Sequence, residues 1–293
     1  GWPYEVKDLR FRSWSRLHNR WLGASGRSLR QDASSALQPP WPDLVIAAGR
    51  RLAPIALWVR EQSAGRTKLV QLGRKGGDLA DAFDLVVTPR YTRQLQDPRR
   101  LETLGPLHRI DAAKLKDAAD EWGTRLMEST HSPRIVVLVG GTSGQYRLNV
   151  ETARRLAKSL VELARTSGGS LLISVSRRTG AAAADVLEAA LGKAHYFYRW
   201  NPSGGDNPYL AYLALADAFV ITGDSESMIV EACSTTRPVY IWPLPVRLSW
   251  TWLRFNREWI VTLGSSYRSG VRSRIPGMKA IGRACSWLQE QGY

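Results

Sequence analysis

Ala216–Pro245, ADAFVITGDSESMIVEACSTTRPVYIWPLP, reads as strand, small-polar turn, helix and strand in one unbroken piece. Ala218–Thr222 is a short apolar, β-branched run. The residues Gly223-Asp224-Ser225-Glu226-Ser227 then supply glycine freedom, hydroxyls and backbone N–H groups where a helix must begin. Unpaired N–H groups and the helix dipole attract anions, so this turn is a candidate phosphate site. Glu231 follows Ser227 by four residues and shares nearly the same helix face, where a carboxylate can accept from a ribose diol. Arg237-Pro238 stops the helix, and Val239–Trp242 resumes as a strand.

A second turn of this kind lies upstream. Arg134–Val139 (RIVVLV) has the pattern of a buried strand and runs into Gly140-Gly141-Thr142-Ser143-Gly144, with a helix predicted over Val150–Ala164. Leu156, Leu160 and Leu163 mark the apolar face of that helix, and Arg154, Arg155, Lys158 and Glu162 the opposite one. The turn is not a Walker loop, because no Gly-Lys-Ser/Thr ends it, and it is not a GxGxxG dinucleotide fingerprint. Further strands are predicted at Asp43–Ala48, Lys68–Leu72, Leu85–Thr88, Thr103–Leu107, Ser170–Ser176 and His195–Tyr198, alternating with helices at Ala53–Gln62, Asp111–Met127, Ala181–Leu191 and Pro208–Ala216. Alternation of this kind is the signature of an α/β fold with parallel sheets.

The chain has 293 residues, about twice the usual domain size, and 44% of them are hydrophobic. No run of roughly 18 apolar residues is present to span a bilayer. Only Cys233 and Cys285 occur, too few for a disulfide framework, and His18, His108, His131 and His195 lack metal-ligand spacing. No metal site or cofactor is therefore expected. The net charge of +15 and pI near 10.3 call for a polyanionic partner or surface. No helix-turn-helix, RRM, KH or zinc-finger pattern points to specific nucleic acid. Arginine mixed with tryptophan in Arg10–Pro42, around Phe11, Trp14 and Trp21, and again after Pro245 suits an anionic membrane surface. A solvated, arginine-rich exterior is the simpler alternative.

Several segments together carry a resemblance to a known family. Ile46–Trp58 (IAAGRRLAPIALW), Phe83–Pro89 (FDLVVTP), Thr103–His108 (TLGPLH), Gly140–Arg147 (GGTSGQYR), Asn207–Leu213 (NPYLAYL) and Thr222–Cys233 (TGDSESMIVEAC) resemble the "elongated mitochondria" family. That family is named in plants for a mitochondrial-fission factor, and its bacterial members are regarded as glycosyltransferases. The two Gly/Ser turns also resemble those of two-Rossmann-domain (GT-B) glycosyltransferases that use UDP-N-acetylglucosamine. The resemblance implies two Rossmann-like domains facing a cleft: an acceptor-side domain over residues 1–130, a nucleotide-sugar-binding domain over 131–246, and a segment 247–293 crossing back toward the first. It also implies a strand, Gly-rich turn and helix before Gly1, so that the first domain lacks its opening unit and Tyr4–Leu9 is its second strand.

The function so implied is metal-independent transfer of a sugar from a nucleotide-sugar donor to a lipid-linked or saccharide acceptor, in the cytoplasm and peripherally on the inner face of the membrane. Diphosphate would be held by Gly140, Gly141, Thr142, Ser143, Ser225 and Ser227, with Met228 beside them and Arg177 and Arg178 as helpers. Glu231 would bind ribose, and Asp224 would orient the turn or accept from a sugar hydroxyl. Gly49, Arg50, Arg51, Arg90 and His108, at or beyond strand exits, are the acceptor-side candidates. No general base is identified; His18, Asp78 and His108 are candidates only by residue type. The alternative is a non-catalytic membrane adaptor that keeps the glycosyltransferase shape. A nucleotide-sugar epimerase would carry GxGxxG and Tyr-x-x-x-Lys in one half, and neither is present.

Overall fold

The computed structural model describes residues 2–17, 19–73, 82–89, 98–143, 146–192 and 195–246, and the chain divides into two compact units, Gly1–Leu107 and His108–Tyr293. His18, Asp78, Arg90, Gly144 and the segment 247–293 lie outside the described residues.

In the first unit a 3-10 turn at Ser13–Arg16 and the one-turn helix α1 (Asn19–Leu22) precede β1 (Leu44–Ala48), α2 (Ala53–Gln62), β2 (Lys68–Leu72), β3 (Leu85–Pro89) and β4 (Arg100–Thr103). The strands form one parallel sheet in the order β1-β2-β3-β4, with Leu44 beside Lys68, Val70 beside Leu85 and Val86 beside Arg100. Pro54 occupies the first turn of α2, where its missing N–H costs nothing. Ala53 and Ala56 of that helix close over Ala47, Leu69, Phe83 and Val86. Arg60 fastens the helix to the sheet by donating to Ala82 O at 2.7 Å and to the Asp84 carboxylate, which itself accepts from Leu69 N.

Two expectations for this unit change. Tyr4–Leu9 is not a strand: Trp2, Tyr4 and Val6 are 85%, 88% and 75% exposed, and at its end Asp8 N and Arg10 N donate to the hydroxyls of Ser35 and Ser34 while Asp8 O and Arg10 O accept from Ser35 N and Arg30 N, without forming part of a sheet. The last strand comes at Arg100–Thr103 and not at Thr103–Leu107, because Arg100 Nε donates to Thr88 Oγ1 at 2.9 Å across the β3–β4 pair while Leu104 and Leu107 face solvent.

The second unit contains α3 (Ala112–Glu128), β5 (Arg134–Val139), α4 (Val150–Ser167), β6 (Ser170–Val175), α5 (Ala181–Leu191), β7 (Tyr196–Arg199), α6 (Tyr209–Leu215), β8 (Ala218–Thr222), α7 (Glu226–Cys233) and β9 (Val239–Trp242). All five strands are parallel, in the order β7-β6-β5-β8-β9. The chain therefore builds outward from β5 to β7, returns, and builds the other way from β8 to β9. That is the doubly wound, Rossmann-like arrangement, with its switch of direction between β5 and β8.

The near-continuous apolar strands follow from burial on both faces. Ile135, Val137 and Val139 pack on one side with Leu156, Leu160 and Leu163 of α4 and Leu187 of α5. Val136, Leu138, Phe219 and Ile221 pack on the other with Leu126 of α3, Ala211 and Leu213 of α6, and Ala232 of α7. This packing moves the domain boundary from the 128–133 segment to Leu107/His108, because α3 belongs to the core of the second unit. Asn149 caps α4 by accepting from Thr152 N at 2.8 Å, and Gly168 ends it with φ 65°, a left-handed geometry that favours glycine.

Leu160 is fully buried between α4 and the sheet. Leu160→Ala is expected to lower unfolding free energy by about 3 kcal/mol in urea titrations, whereas Lys158→Ala on the exposed face of the same helix should stay within about 0.5 kcal/mol of the parent.

Candidate functional site

Ligands of doubly wound sheets bind beyond the carboxyl ends of the strands at the switch of direction, and here that position is framed by the exits of β5 and β8. Thr222 ends β8 with its hydroxyl turned to the neighbouring exit: it accepts from Gly140 N at 2.7 Å and donates to Asp224 Oδ1 at 2.8 Å. Asp224 Oδ2 accepts from Gly141 N at 2.9 Å and pairs with Arg178 Nη1 at 3.1 Å. The Asp224 side chain is 0% exposed. The β6 exit joins the same assembly, since Ser176 Oγ and Thr179 Oγ1 both donate to Gly140 O, at 2.5 and 2.6 Å.

Glycine is required at both positions of the Gly-Gly turn by close approach. A Cβ on Gly140 would collide with the Asp224 carboxylate, and one on Gly141 with the backbone of Arg178 and Thr179. The turn is thus the packing surface between two other turns. Its backbone donors are engaged: Gly140 N and Gly141 N as above, Thr142 N with Arg178 O at 3.2 Å, and Ser143 N with Tyr146 O at 3.2 Å. The sequence reading that offers these amides to a diphosphate meets four N–H groups already held by the protein.

The first turn of α7 differs. Ser225 at its N-cap is buried and makes no side-chain cap, and the first bond onto it is from Ile229 N to Ser225 O at 3.1 Å. Ser227 N and Met228 N have no partner among the described residues, with Ser227 exposed and Met228 half-buried. One turn on, half-buried Glu231 accepts from Tyr209 Oη at 2.5 Å. Burial and the Glu231 charge push the Tyr209 phenol well above its ordinary pKa, so it is a neutral donor. The Ser227 and Met228 amides with a carboxylate one turn beyond them form an arrangement able to hold a phosphate and a diol together.

The remaining candidates separate. Arg178 is neutralised by Asp224, while exposed Arg177 lies over the ring of Trp200 at 6.0 Å. Gly49 leaves β1 with φ 87°. Arg50 is a clamp, donating to Leu17 O at 2.6 Å, Asn19 Oδ1 at 3.2 Å and Ser15 O at 3.3 Å, so it holds the 13–22 segment against the β1 exit. Arg51 is exposed. His108 is also exposed and begins the second unit, its Nδ1 accepting from Ile110 N at 3.3 Å. Sequence reasoning missed Thr222 and Thr179 as partners of the site, and reached Tyr209 only as part of a segment offered either as a donor contact or as a helix cap. Tyr209 had a signal, in the Asp206-Asn207-Pro208-Tyr209 turn, but side-chain hydroxyls that close over glycine leave no spacing rule to read. Among the described residues no group of three metal-ligating side chains forms, and no helix is long and apolar enough to cross a membrane.

Comparison with known proteins gives these likenesses. The family described as "Mitochondrial fission ELM1" matches residues 1–259. The "Mitochondrial fission protein ELM1" of Arabidopsis thaliana is 35% identical over 242 residues, covering 75% of this chain and 56% of that protein. The chain thus spans little more than half the length of that relative. "Uncharacterized protein RP120" of Rickettsia prowazekii (strain Madrid E) is 24% identical over 254 residues, covering 75% of this chain and 69% of its own. Among solved structures, the UDP-GlcNAc 2-epimerase from Neisseria meningitidis bound to UDP-GlcNAc is 14% identical with a TM-score of 0.45, covering 85% of this chain and 76% of that one.

Asp224→Ala leaves Gly141 N and the Thr222 hydroxyl without their acceptor inside the protein. It is expected to cost about 2–4 kcal/mol in chemical denaturation, and Arg178→Ala a comparable amount, because that change leaves the wholly buried Asp224 carboxylate without its counter-ion.

Proposed function

This chain belongs to the mitochondrial fission ELM1 family, and from that premise we propose that it is a nucleotide-sugar-dependent glycosyltransferase. The observation that carries the reading is the first turn of α7 at the switch of sheet direction: uncapped amides at Ser227 and Met228, with the Glu231 carboxylate one turn inside. In this reading the diphosphate of the donor sits on those amides and the Ser225 and Ser227 hydroxyls, and Glu231 accepts from the ribose diol. Gly140 and Gly141 give shape to the site and Asp224 fixes it. As the glycosidic bond breaks, negative charge grows on the leaving diphosphate, and the dipole of α7, with the Arg177 guanidinium at the neighbouring exit, stabilises it. No metal ion takes part. The acceptor is a lipid-linked or saccharide group, met from the cytoplasm at the inner face of a membrane. An overall charge of +15 supports attraction to such a surface.

A second reading, a membrane adaptor without catalysis, is favoured by one observation: the Gly-Gly turn donates inward and not toward a ligand. The exposed Trp2, Tyr4 and Trp21 would then serve protein or lipid contact.

Calorimetric titration of the full-length protein with UDP, GDP, ADP, dTDP and CMP, without added metal, separates the two. Saturable binding of one nucleotide, weakened about tenfold or more in Glu231→Ala, is the expected result, a loss of about 1–3 kcal/mol. Binding of none of them by well-folded protein replaces the transferase reading with the adaptor.

A further inference from the structure

Glu231 is held from outside its own helix. Tyr209 is the first residue of α6, whose chain direction opposes the strands, so it starts at the same carboxyl edge of the sheet as the first turn of α7. Asn207 Oδ1 accepts from Tyr209 N at 3.0 Å and fixes where the helix begins. The phenol packs in the cluster that contains Met228 and Ile229 of α7, and its hydroxyl donates to Glu231 Oε2. Glu231 Oε1 has no partner among the described residues. One oxygen of the carboxylate is thus anchored and the other is left open.

A free glutamate side chain surrenders rotamer entropy when a ligand orders it. An anchored one has already done so before the ligand arrives, and its plane is set. We propose that Tyr209 is the positioning residue of ribose recognition: its hydroxyl holds Glu231 so that Oε1 and the remaining lone pair of Oε2 accept from the two ribose hydroxyls of a nucleotide. The site therefore selects ribonucleotides over 2′-deoxyribonucleotides. This inference rests on the donor-site reading given above. A tie between α6 and α7 that served packing alone would have no bearing on the sugar of a bound nucleotide.

The test titrates UDP, GDP, ADP, dTDP and CMP, and then the 2′-deoxy counterpart of whichever ribonucleotide binds, into the full-length parent protein and into Tyr209→Phe. Thermal melts establish that the variant is folded. The parent is expected to prefer the ribonucleotide by about tenfold or more, the value of a hydrogen bond to a charged group. Tyr209→Phe should weaken the ribonucleotide about three- to tenfold and the deoxy form, which keeps only its 3′-hydroxyl on Glu231, by less, shrinking the ratio. Equal weakening of both forms, or an undiminished ratio in the variant, overturns the positioning role while the donor site stands. Should Tyr209→Phe not fold, the ratio of the parent decides: a value near one overturns the inference. Binding of none of UDP, GDP, ADP, dTDP and CMP by the parent overturns the donor-site reading itself, whereas binding of dTDP alone overturns the ribose inference while that reading stands.

Discussion

A buried carboxylate without enough partners is among the most costly groups a protein can carry, and the second unit is arranged so that Asp224 is never in that condition. Its two oxygens accept from a backbone N–H, a threonine hydroxyl and a guanidinium, contributed by the exits of three parallel strands. Those exits must lie in one plane and at one spacing for all three bonds to form together. The requirement then propagates. Gly140 and Gly141 must lack side chains for the carboxylate and the Arg178 backbone to reach them, and Thr222 must present a hydroxyl in place of the valine methyl that β-propensity alone would equally accept. The charge is met by arginine, whose planar fork of donors suits a carboxylate.

Among the described residues, several guanidinium groups are likewise engaged by the protein itself. Arg178 answers Asp224, Arg50 answers three oxygens of the 13–22 segment, and Arg199 on β7 pairs with both Asp185 and Glu188. Guanidinium groups at strand exits look alike in sequence, yet their five donors suit them equally to gripping backbone carbonyls and to meeting phosphate. Which use applies depends on whether carbonyls lie within reach, and that depends on how distant segments fold onto the exit.

The strands and helices of the second unit were legible because each carries its own local signature. Arg134–Val139 and Ala218–Thr222 are apolar runs buried on both faces, Val239–Trp242 is an apolar, partly buried edge strand, and α4 has a strict apolar stripe between Asn149 and Gly168. The two Gly/Ser turns at the switch point were legible for the same reason. What they do was not, because a glycine reads identically whether a ligand or a neighbouring side chain fills the space it leaves. The boundary between units was misplaced for a related reason: the polar stretch 128–133 has linker composition, but the face of α3 carrying Ala118 and Leu126 finds its partners in α6 and the sheet beyond it. Tyr4–Leu9, expected as a strand only from the family resemblance, shows the converse, since an extended segment becomes a strand only where a neighbouring strand is available to pair with it.

Two carboxylates stand close in sequence at the edge of this sheet, and their surroundings separate their uses. Asp224 has every oxygen occupied by protein and no exposure, so its chemistry is complete before any ligand comes. Glu231 has one oxygen tied to a neutral phenol and the other open. A group that is satisfied internally stabilises the fold; one that is oriented but not satisfied retains free energy for a partner. The same contrast divides the amides, those of Gly140–Ser143 turned inward and those of Ser227 and Met228 unclaimed. The rigid half of the switch point thus acts as the support on which the open half is held, and in the proposed reading recognition falls to α7, Glu231 and the tyrosine that positions it.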